Sequence, residues 1–331
     1  MSMRIGILGA AKIAGSFMVG AKASGRVDVV AVASRDRARG EAFAAAHGIA
    51  RACSYDELLA DRAIDAIYNP LPNSLHAEWT IAAARAGKHV LCEKPLALGE
   101  PEAQAMFAAA DASGVAVIEA FPYWFQPQTL ELERLIAAGA IGEVKTMFAA
   151  FGFTITPATH AGNIRLAPAL GGGALLDAGC YPVSFVRQVF GARPVRVTAT
   201  ACWVDGLDQS LAATLVFPGG GLAQVSCSFA TALHRRAIIA GTAGVIETDY
   251  HNHTDREAAP GYLIRRGSDA QAKVETVPVA RENGFRVEID AFADLIERGD
   301  HAAIAARRAA SLDNVWTLAA LLASARAGAG E

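Results

Sequence analysis

The sequence predicts an α/β protein: a doubly wound parallel sheet, then an α+β domain with a large, open, mainly antiparallel sheet. Three observations carry this. Over residues 1–121 short apolar runs alternate with helical segments, the pattern of a parallel sheet wrapped in helices. From Val144 onward strand-like runs follow one another with few helices between them. The apolar run Val90-Leu91-Cys92 stops abruptly at Glu93-Lys94-Pro95. Ligands of an open α/β sheet bind beyond the carboxyl ends of its strands, so Lys94 stands where a ligand is expected. Pro95 biases Lys94 toward extended backbone and aims the amine.

With 331 residues, 53% of them apolar, the chain is long enough for two cores. A net charge of -3 without a basic block gives no reason to expect a nucleic-acid partner. The five cysteines (Cys53, Cys92, Cys180, Cys202, Cys227) are scattered and form no CxxC pair. Neither a disulfide framework nor a zinc cage is expected, and the chain is placed in the cytoplasm. A strand begins almost at the N-terminus, so no signal peptide is expected. No apolar run approaches the roughly 20 residues of a membrane span, so no membrane partner is expected.

Arg4–Leu8 is the first buried strand, followed by Gly9-Ala10-Ala11-Lys12-Ile13-Ala14 and a helix over Gly15–Ser24. Such a turn cradles phosphate, because free N–H groups and the helix dipole face the anion. The dinucleotide fingerprint G-x-G-x-x-G/A stands here as Gly9-x-Ala11-x-x-Ala14, without its middle glycine. Gly9, Ala11, Lys12 and Ile13 are the expected cofactor contacts. Ala11 permits close approach where its backbone angles are ordinary. The second strand, Val27–Ala33, ends in Ser34-Arg35-Asp36, with Arg39 one turn on. NAD-binding chains place a carboxylate here for the ribose 2′-hydroxyl. A serine and two guanidinium groups suit a 2′-phosphate instead. NADP is therefore the expected cofactor, with NAD the alternative; a plain surface Arg–Asp36 pair is the competing reading.

Helices over Gly40–His47 and Asp56–Ala60 follow, then the strand Asp65–Tyr68 and the loop Asn69-Pro70-Leu71-Pro72-Asn73-Ser74. Asn73-Ser74 reads as the cap of a helix over Leu75–Ala86. A helix over Glu100–Ser113 and the strand Val115–Ile118 complete the half. The strand-end loops at Gly9, Ser34, Asn73, Glu93 and Glu119 gather on one edge. His76 is placed either to contact a cofactor there or to lie at the surface.

In the second half Leu130–Ala138 reads as a helix and Val144–Phe151 as a strand. Further strands are read over Val195–Ala201, Leu211–Phe217, Leu222–Phe229, Arg236–Ala240, Val245–Thr248, Tyr262–Arg266 and Val274–Val277. Pro218-Gly219-Gly220-Gly221 makes a hairpin. Phe285–Arg298 and Ala306–Ala325 are amphipathic helices that pack back on the domains. The chain divides into a dinucleotide-binding domain, 1–121, and a substrate-binding and oligomerisation domain, 122–331. An open sheet has a face to cover, so a homo-oligomer, a dimer or a dimer of dimers, is expected. His251-Asn252-His253 lacks a third ligand nearby in sequence and is read as a loop; no metal is expected. Gly171-Gly172-Gly173 turns the chain into a helix that carries Asp177 and Tyr181 on one face. A phenol beside a carboxylate and facing an amine is a proton-transfer group, since a nearby ammonium favours its ionised form. The other reading of Tyr181 is a buried phenol capped by Asp177.

Four segments together resemble the glucose–fructose oxidoreductase / inositol dehydrogenase (Gfo/Idh/MocA) family. They are Gly6 to Ala11, Pro70-Leu71-Pro72-Asn73 with His76, Glu93-Lys94-Pro95, and Gly171 through Asp177 to Tyr181. The resemblance spans essentially the whole chain, and its nearest branch is that of dimeric dihydrodiol dehydrogenase and NADP-linked xylose dehydrogenase. It implies a Rossmann fold for the first domain, with Lys94 as catalytic lysine, Asp177 as helix aspartate and Tyr181 as general acid/base. It also implies 2′-phosphate ligands at Ser34, Arg35 and Arg39, and a nicotinamide-ribose wall from Pro70, Leu71, Pro72, Asn73 and Glu93. Asn163 and Arg165 match a segment near the active site of that branch. After Glu119-Ala120 relatives usually read Phe-Met-Tyr-Arg-Phe-His-Pro-Gln; this chain reads Phe121-Pro122-Tyr123-Trp124-Phe125-Gln126-Pro127-Gln128. The changed Arg and His leave the substrate open. Trp124 either stacks a sugar ring or aromatic diol, or belongs to the core.

The reaction implied is reversible hydride transfer between NADP(H) and a carbinol carbon of an aldose, polyol or cyclic diol. In it Tyr181 exchanges the hydroxyl proton, Lys94 hydrogen-bonds the substrate oxygen and Asp177 orients the pair. Two alternatives stay open: a non-catalytic dinucleotide-sensing regulator, and an aldose–aldose oxidoreductase with tightly bound NADP.

Overall fold

In β1 (Met3–Leu8) every side chain but that of Arg4 is buried, because helices cover both faces of a parallel sheet. The alternation continues through α1 (Lys12–Ser24), β2 (Val27–Ala33), α2 (Arg37–His47), β3 (Arg51–Cys53) and α3 (Tyr55–Ala60). It runs on through β4 (Ala66–Asn69), α4 (His76–Arg85), β5 (His89–Glu93), α5 (Glu100–Ser113) and β6 (Val117–Ala120). The strands lie in the order β3-β2-β1-β4-β5-β6, all parallel. The order reverses between β1 and β4, the point at which such a sheet opens a crevice for a ligand. β3 escapes sequence reasoning because three edge residues carry too little periodicity. α2 starts three residues before Gly40, because the Asp36 side chain accepts the Arg39 N–H at 3.1 Å and caps it there.

A 3₁₀ turn, Pro122–Phe125, leads to α6 (Pro127–Ala137), β7 (Val144–Thr154) and α7 (Cys180–Phe190). The strands β8 (Arg196–Val204), β9 (Leu207–Val216), β10 (Leu222–Ser228) and β11 (Ala230–Gly241) follow, then β12 (Gly244–Thr248), β13 (Gly261–Arg266) and β14 (Val274–Pro278). They pair in the order β14-β13-β12-β11-β7-β10-β9-β8. Only β7 and β10 run parallel among the described pairs. Burial alternates strictly along β8, as in a sheet covered on one face. Pro168–Phe190 is long and apolar enough to cross a membrane by length and composition alone, but it is mostly buried in the protein and packs on β7 and β10 as a core helix does.

The chain ends with α8 (Gly284–Glu297) and α9 (His301–Ala327). The computed structural model describes residues 2–155, 160, 162–250, 261–267, 269 and 272–328. They fall into two units: unit 1 is Met1–Phe125 with Glu282–Leu312, and unit 2 is Gln126–Arg281 with Asp313–Glu331. Residues 282–312, placed by sequence in the second domain, thus rejoin the first. The reason is the apolar face of α8: Phe285, Ile289 and Phe292 enter the core formed by Ile5, Phe17, Val29 and Tyr68.

α1 and α8 meet at Gly20, where an added Cβ would lie 2.5 Å from Phe285 Cβ and 2.8 Å from the Arg286 nitrogen. Gly20→Ala should therefore cost about 1–3 kcal/mol. The thermal midpoint should fall by about 2–4 °C for each of these. A midpoint equal to wild type would mean that the two helices do not approach this closely.

Candidate active site

β1 ends at Gly9, whose φ of 98° suits glycine alone, and a Cβ there would touch Leu71 Cδ2 at 3.0 Å. Ala11 precedes α1 in extended backbone, φ -80° and ψ 152°, ordinary angles for a residue with a methyl. The first turn of α1 holds no acidic residue and no side-chain cap. Its dipole and the N–H groups of exposed Lys12 and partly buried Ile13 are thus available to an anion, while the Ala14 N–H donates to the Ala11 carbonyl at 3.1 Å. Arg39 reaches back across the turn, its Nη2 donating to the Ala10 carbonyl at 2.9 Å. Arg35 is exposed, and its charge and that of Arg39 both act on the Tyr55 hydroxyl. Burial raises that phenol's pKa, and the two guanidinium groups oppose it. Ser34 is partly buried at the same strand end. Asp36 is the cap of α2, and its bond to the Arg39 N–H sets where that arginine starts. The residues at this edge fit NADP: a helix terminus without a side-chain cap for pyrophosphate, and two cations with a hydroxyl at the end of β2 for the 2′-phosphate.

Lys94 follows β5 partly buried, and its peptide bond to Pro95 is cis. Buried side chains hold the residues on either side of it. His76 is 0% exposed; its Nδ1 lies 2.9 Å from the Pro95 carbonyl oxygen and its Nε2 2.8 Å from that of Leu71. The Leu96 N–H donates to Glu119 Oε1 at 2.9 Å. Glu93 accepts the Tyr68 hydroxyl at 2.6 Å. Asn69, 0% exposed, donates to the His76 carbonyl at 3.3 Å and to Thr80 Oγ1 at 3.1 Å, and accepts the Leu71 N–H at 3.3 Å. The structure thus places His76 behind the loops, tying Leu71 to Pro95, rather than at the surface. Asn73 does not cap α4. It opens a 3₁₀ turn, Asn73–Leu75, because Pro72 starts the turn and its carbonyl accepts the Leu75 N–H at 2.8 Å. Pro70 and Leu71 are buried in this loop, and Pro72 is partly so.

Trp124 takes the packing role of its two readings. It is 0% exposed, donates to the Tyr123 hydroxyl at 3.0 Å, and is covered by Phe121 and by the Arg307 guanidinium 5.1 Å from its ring centre. That burial corrects the expectation that its face stacks a substrate.

In unit 2 the glycine turn enters a π-helical turn, Leu175–Gly179, continuous with α7, where a plain α-helix was expected. Bonding to the fifth residue widens the helix around Asp177, a distortion frequent at functional sites. Asp177 Oδ2 accepts Arg165 Nε at 2.7 Å. Asn163 Oδ1 accepts the Arg165 N–H at 3.1 Å and caps the 3₁₀ turn Ile164–Leu166. Asn163, Arg165 and Asp177 are therefore brought together. Tyr181 is 9% exposed and meets Phe151 edge-on, ring centres 5.7 Å apart. His251 and His253 lie outside the described residues. Asn69 and Tyr55 were missed from sequence; a lone Asn in a buried strand was the one usable signal.

A model described as the oxidoreductase family with NAD-binding Rossmann fold matches residues 3–121. One described as the GFO/IDH/MocA C-terminal domain matches residues 129–247. The chain is 36% identical over 330 residues to D-xylose 1-dehydrogenase (NADP(+)) 2 of Haloferax volcanii, covering 99% of this chain and 98% of that one. The chain belongs to the Gfo/Idh/MocA oxidoreductase family. Within it, trans-1,2-dihydrobenzene-1,2-diol dehydrogenase of Danio rerio is 39% identical over 256 residues, 76% of this chain and 75% of that one. A 3-ketoreductase from Actinomadura kijaniata, solved with NADP and TDP-benzene, superposes with a TM-score of 0.87 at 28% identity, covering 98% of both chains. Family and fold thus agree with the resemblance carried by the four segments.

Burial pushes the His76 imidazole down to about 4, further lowered by the Lys94 charge, while the Pro95 and Leu71 carbonyls pull it up. The unfolded ring titrates near 6.5. Its contribution to stability is therefore complete above about pH 6.5 and is lost as the pH falls toward 4, by about 3 kcal/mol in all. His76→Gln should flatten the denaturant midpoint across this window. An unchanged slope would show that another group titrates there.

Proposed function

We propose that this chain is an NADP(H)-dependent dehydrogenase that moves hydride to or from the carbinol carbon of an aldose, polyol or cyclic diol. The observation that carries it is Lys94 at the carboxyl end of β5, next to loop residues held by His76 and Glu119, on the sheet edge where Arg39 closes over the Gly9 turn. The names of its relatives, a xylose and a dihydrodiol dehydrogenase, support the substrate class.

Bound NADP supplies the hydride acceptor for oxidation and, once reduced, the donor for the reverse. The chain's own part is binding, position and the proton. Gly9, Ala11, Lys12 and Ile13 cradle the pyrophosphate; Ser34, Arg35 and Arg39 hold the 2′-phosphate. Pro70 to Asn73 and Glu93 line the ribose, with His76 and Glu119 fixing those loops from within. Lys94 donates a hydrogen bond to the substrate hydroxyl oxygen. Tyr181 Oη, as the phenolate, takes that hydroxyl's proton in oxidation, and the resulting phenol returns it in reduction. Asp177, held by Arg165, orients the reacting hydroxyl or its neighbour, and Asn163 shapes the turn beneath.

We propose further that the chain acts in the cytoplasm, in keeping with five cysteines outside any disulfide, and as a homodimer through the open sheet of unit 2. Val195, Val204, Leu222, Leu233 and Val274 are all exposed on that unit. Sedimentation velocity should show a dimer at micromolar concentration; a monomer throughout would remove this part.

The function is tested by a turnover screen with NADP against aldoses, inositols and cyclic diols. On the substrate found, Tyr181→Phe should lower kcat by roughly 10²–10⁴. An undiminished rate would remove Tyr181 from the proton path. Arg39→Ala should raise the KM for NADP by about 10–100-fold, the worth of a charge-assisted bond, and leave NAD nearly unaffected. Equal effects on both cofactors would overturn the 2′-phosphate assignment.

A further inference from the structure

The helix that carries Asp177 and Tyr181 starts where a carboxylate from another strand meets it. Asp208, the second residue of β9, is 3% exposed. Its Oδ2 accepts the N–H of Leu175, the first residue of the π-helical turn, at 2.6 Å. The N–H groups of Ala174 and of Asp208 itself also favour the ionised carboxylate. The residue preceding the turn, Ala174, provides no side-chain cap. Burial pushes the Asp208 carboxyl up to about 6, while those N–H groups and the charge of Arg326, on α9, pull it back. The acceptor is therefore mostly ionised at neutral pH. Cys227, on β10, faces the same place, and burial with the Asp208 charge keeps it a thiol.

Three glycines make room for this meeting. Gly173 has a φ of 117°, and an added Cβ would strike Asp208 Oδ1. A Cβ on Gly172 would lie 2.5 Å from the Arg165 carbonyl oxygen. One on Gly179, at the far end of the π turn, would lie 2.8 Å from Cys227 Sγ. The turn is thus threaded between a carboxylate and the Arg165 backbone. The Gly173 N–H donates to the Arg165 carbonyl at 3.0 Å, and the Asp177 N–H to the Gly173 carbonyl at 3.2 Å. Arg165 then closes the loop a second time with its Nε on Asp177.

We propose that Asp208 is the positioning residue of this site: its carboxylate fixes the residue at which the helix begins, and with it the angle at which Asp177 and Tyr181 are presented. A start shifted by one residue would turn both side chains by roughly 100° about the helix axis. The proposal goes beyond the dehydrogenase reading and uses it only for one of two readouts.

The test compares full-length Asp208→Ala and Asp208→Asn with wild type by hydrogen–deuterium exchange over residues 173–181 and by the oxidation kinetics described above. In Asp208→Ala the amides of residues 174–177 should exchange about tenfold faster or more, the ratio one charge-assisted hydrogen bond supports. Its kcat should fall about tenfold or more, with KM and thermal upshift for NADP within about twofold of wild type, because only presentation of the helix has changed. Asp208→Asn keeps one acceptor oxygen and should fall between the two in both readouts. Wild-type exchange in a folded Asp208→Ala chain would overturn the proposal, as would loss of kcat together with loss of the NADP upshift. If Asp208→Ala does not fold, Asp208→Asn decides, and exchange at the wild-type rate overturns the proposal. A wild-type chain that turns over no sugar or diol sinks the dehydrogenase reading alone, and exchange then judges Asp208 by itself.

Discussion

A chain leaving the edge of a parallel sheet carries backbone N–H and C=O groups that must find partners wherever water is excluded. In unit 1 buried polar side chains supply them. The neutral His76 ring lies between the carbonyls of Leu71 and Pro95 and donates its one N–H to one of them, Glu119 takes the N–H of Leu96, and Asn69 takes that of Leu71. Each such bond is worth only about 1 kcal/mol net, yet leaving its buried partner unmade costs about 1–3. That asymmetry makes the loops rigid. Lys94 sits between two of these anchors, which distinguishes it from a solvated lysine at a strand end.

Unit 2 reaches the same end by another route. Its key turn is held from a neighbouring strand, by Asp208 on the Leu175 N–H, and from its own loop, by Arg165. The Asp177–Arg165 pair has side chains 15% and 41% exposed, so its worth lies in geometry more than in stability. The π turn runs between a carboxylate at its start and Cys227 against Gly179 at its end.

Charge is local here. A net charge of -3 says little about Arg35 and Arg39, which gather where β2 ends and beside the Gly9 turn. A third cation, Arg307, lies over the rings of Trp124 and Phe125. Trp124 thus receives a cation from α9 over its ring face.

The doubly wound half, the open sheet and the strand-end lysine were legible in the sequence, because hydrophobic period, glycine turns and Glu-Lys-Pro are local signals. Asp36 was legible as a polar residue at a strand end but not as a cap, since the choice between cap, ion pair and ribose ligand depends on where α2 begins. Trp124 stood undecided for a similar reason: burial of an aromatic is set by what covers it, and Arg307 is far along the chain. His76 meets the Pro95 carbonyl and Asp208 takes the Leu175 N–H, backbone groups distant in sequence, and no local pattern announces such contacts. By itself, then, the sequence determined the order of strands and helices and the kinds of chemical group at their ends. Only the tertiary structure decided which polar groups are buried against which backbone atoms, because that depends on contacts between residues far apart in the chain.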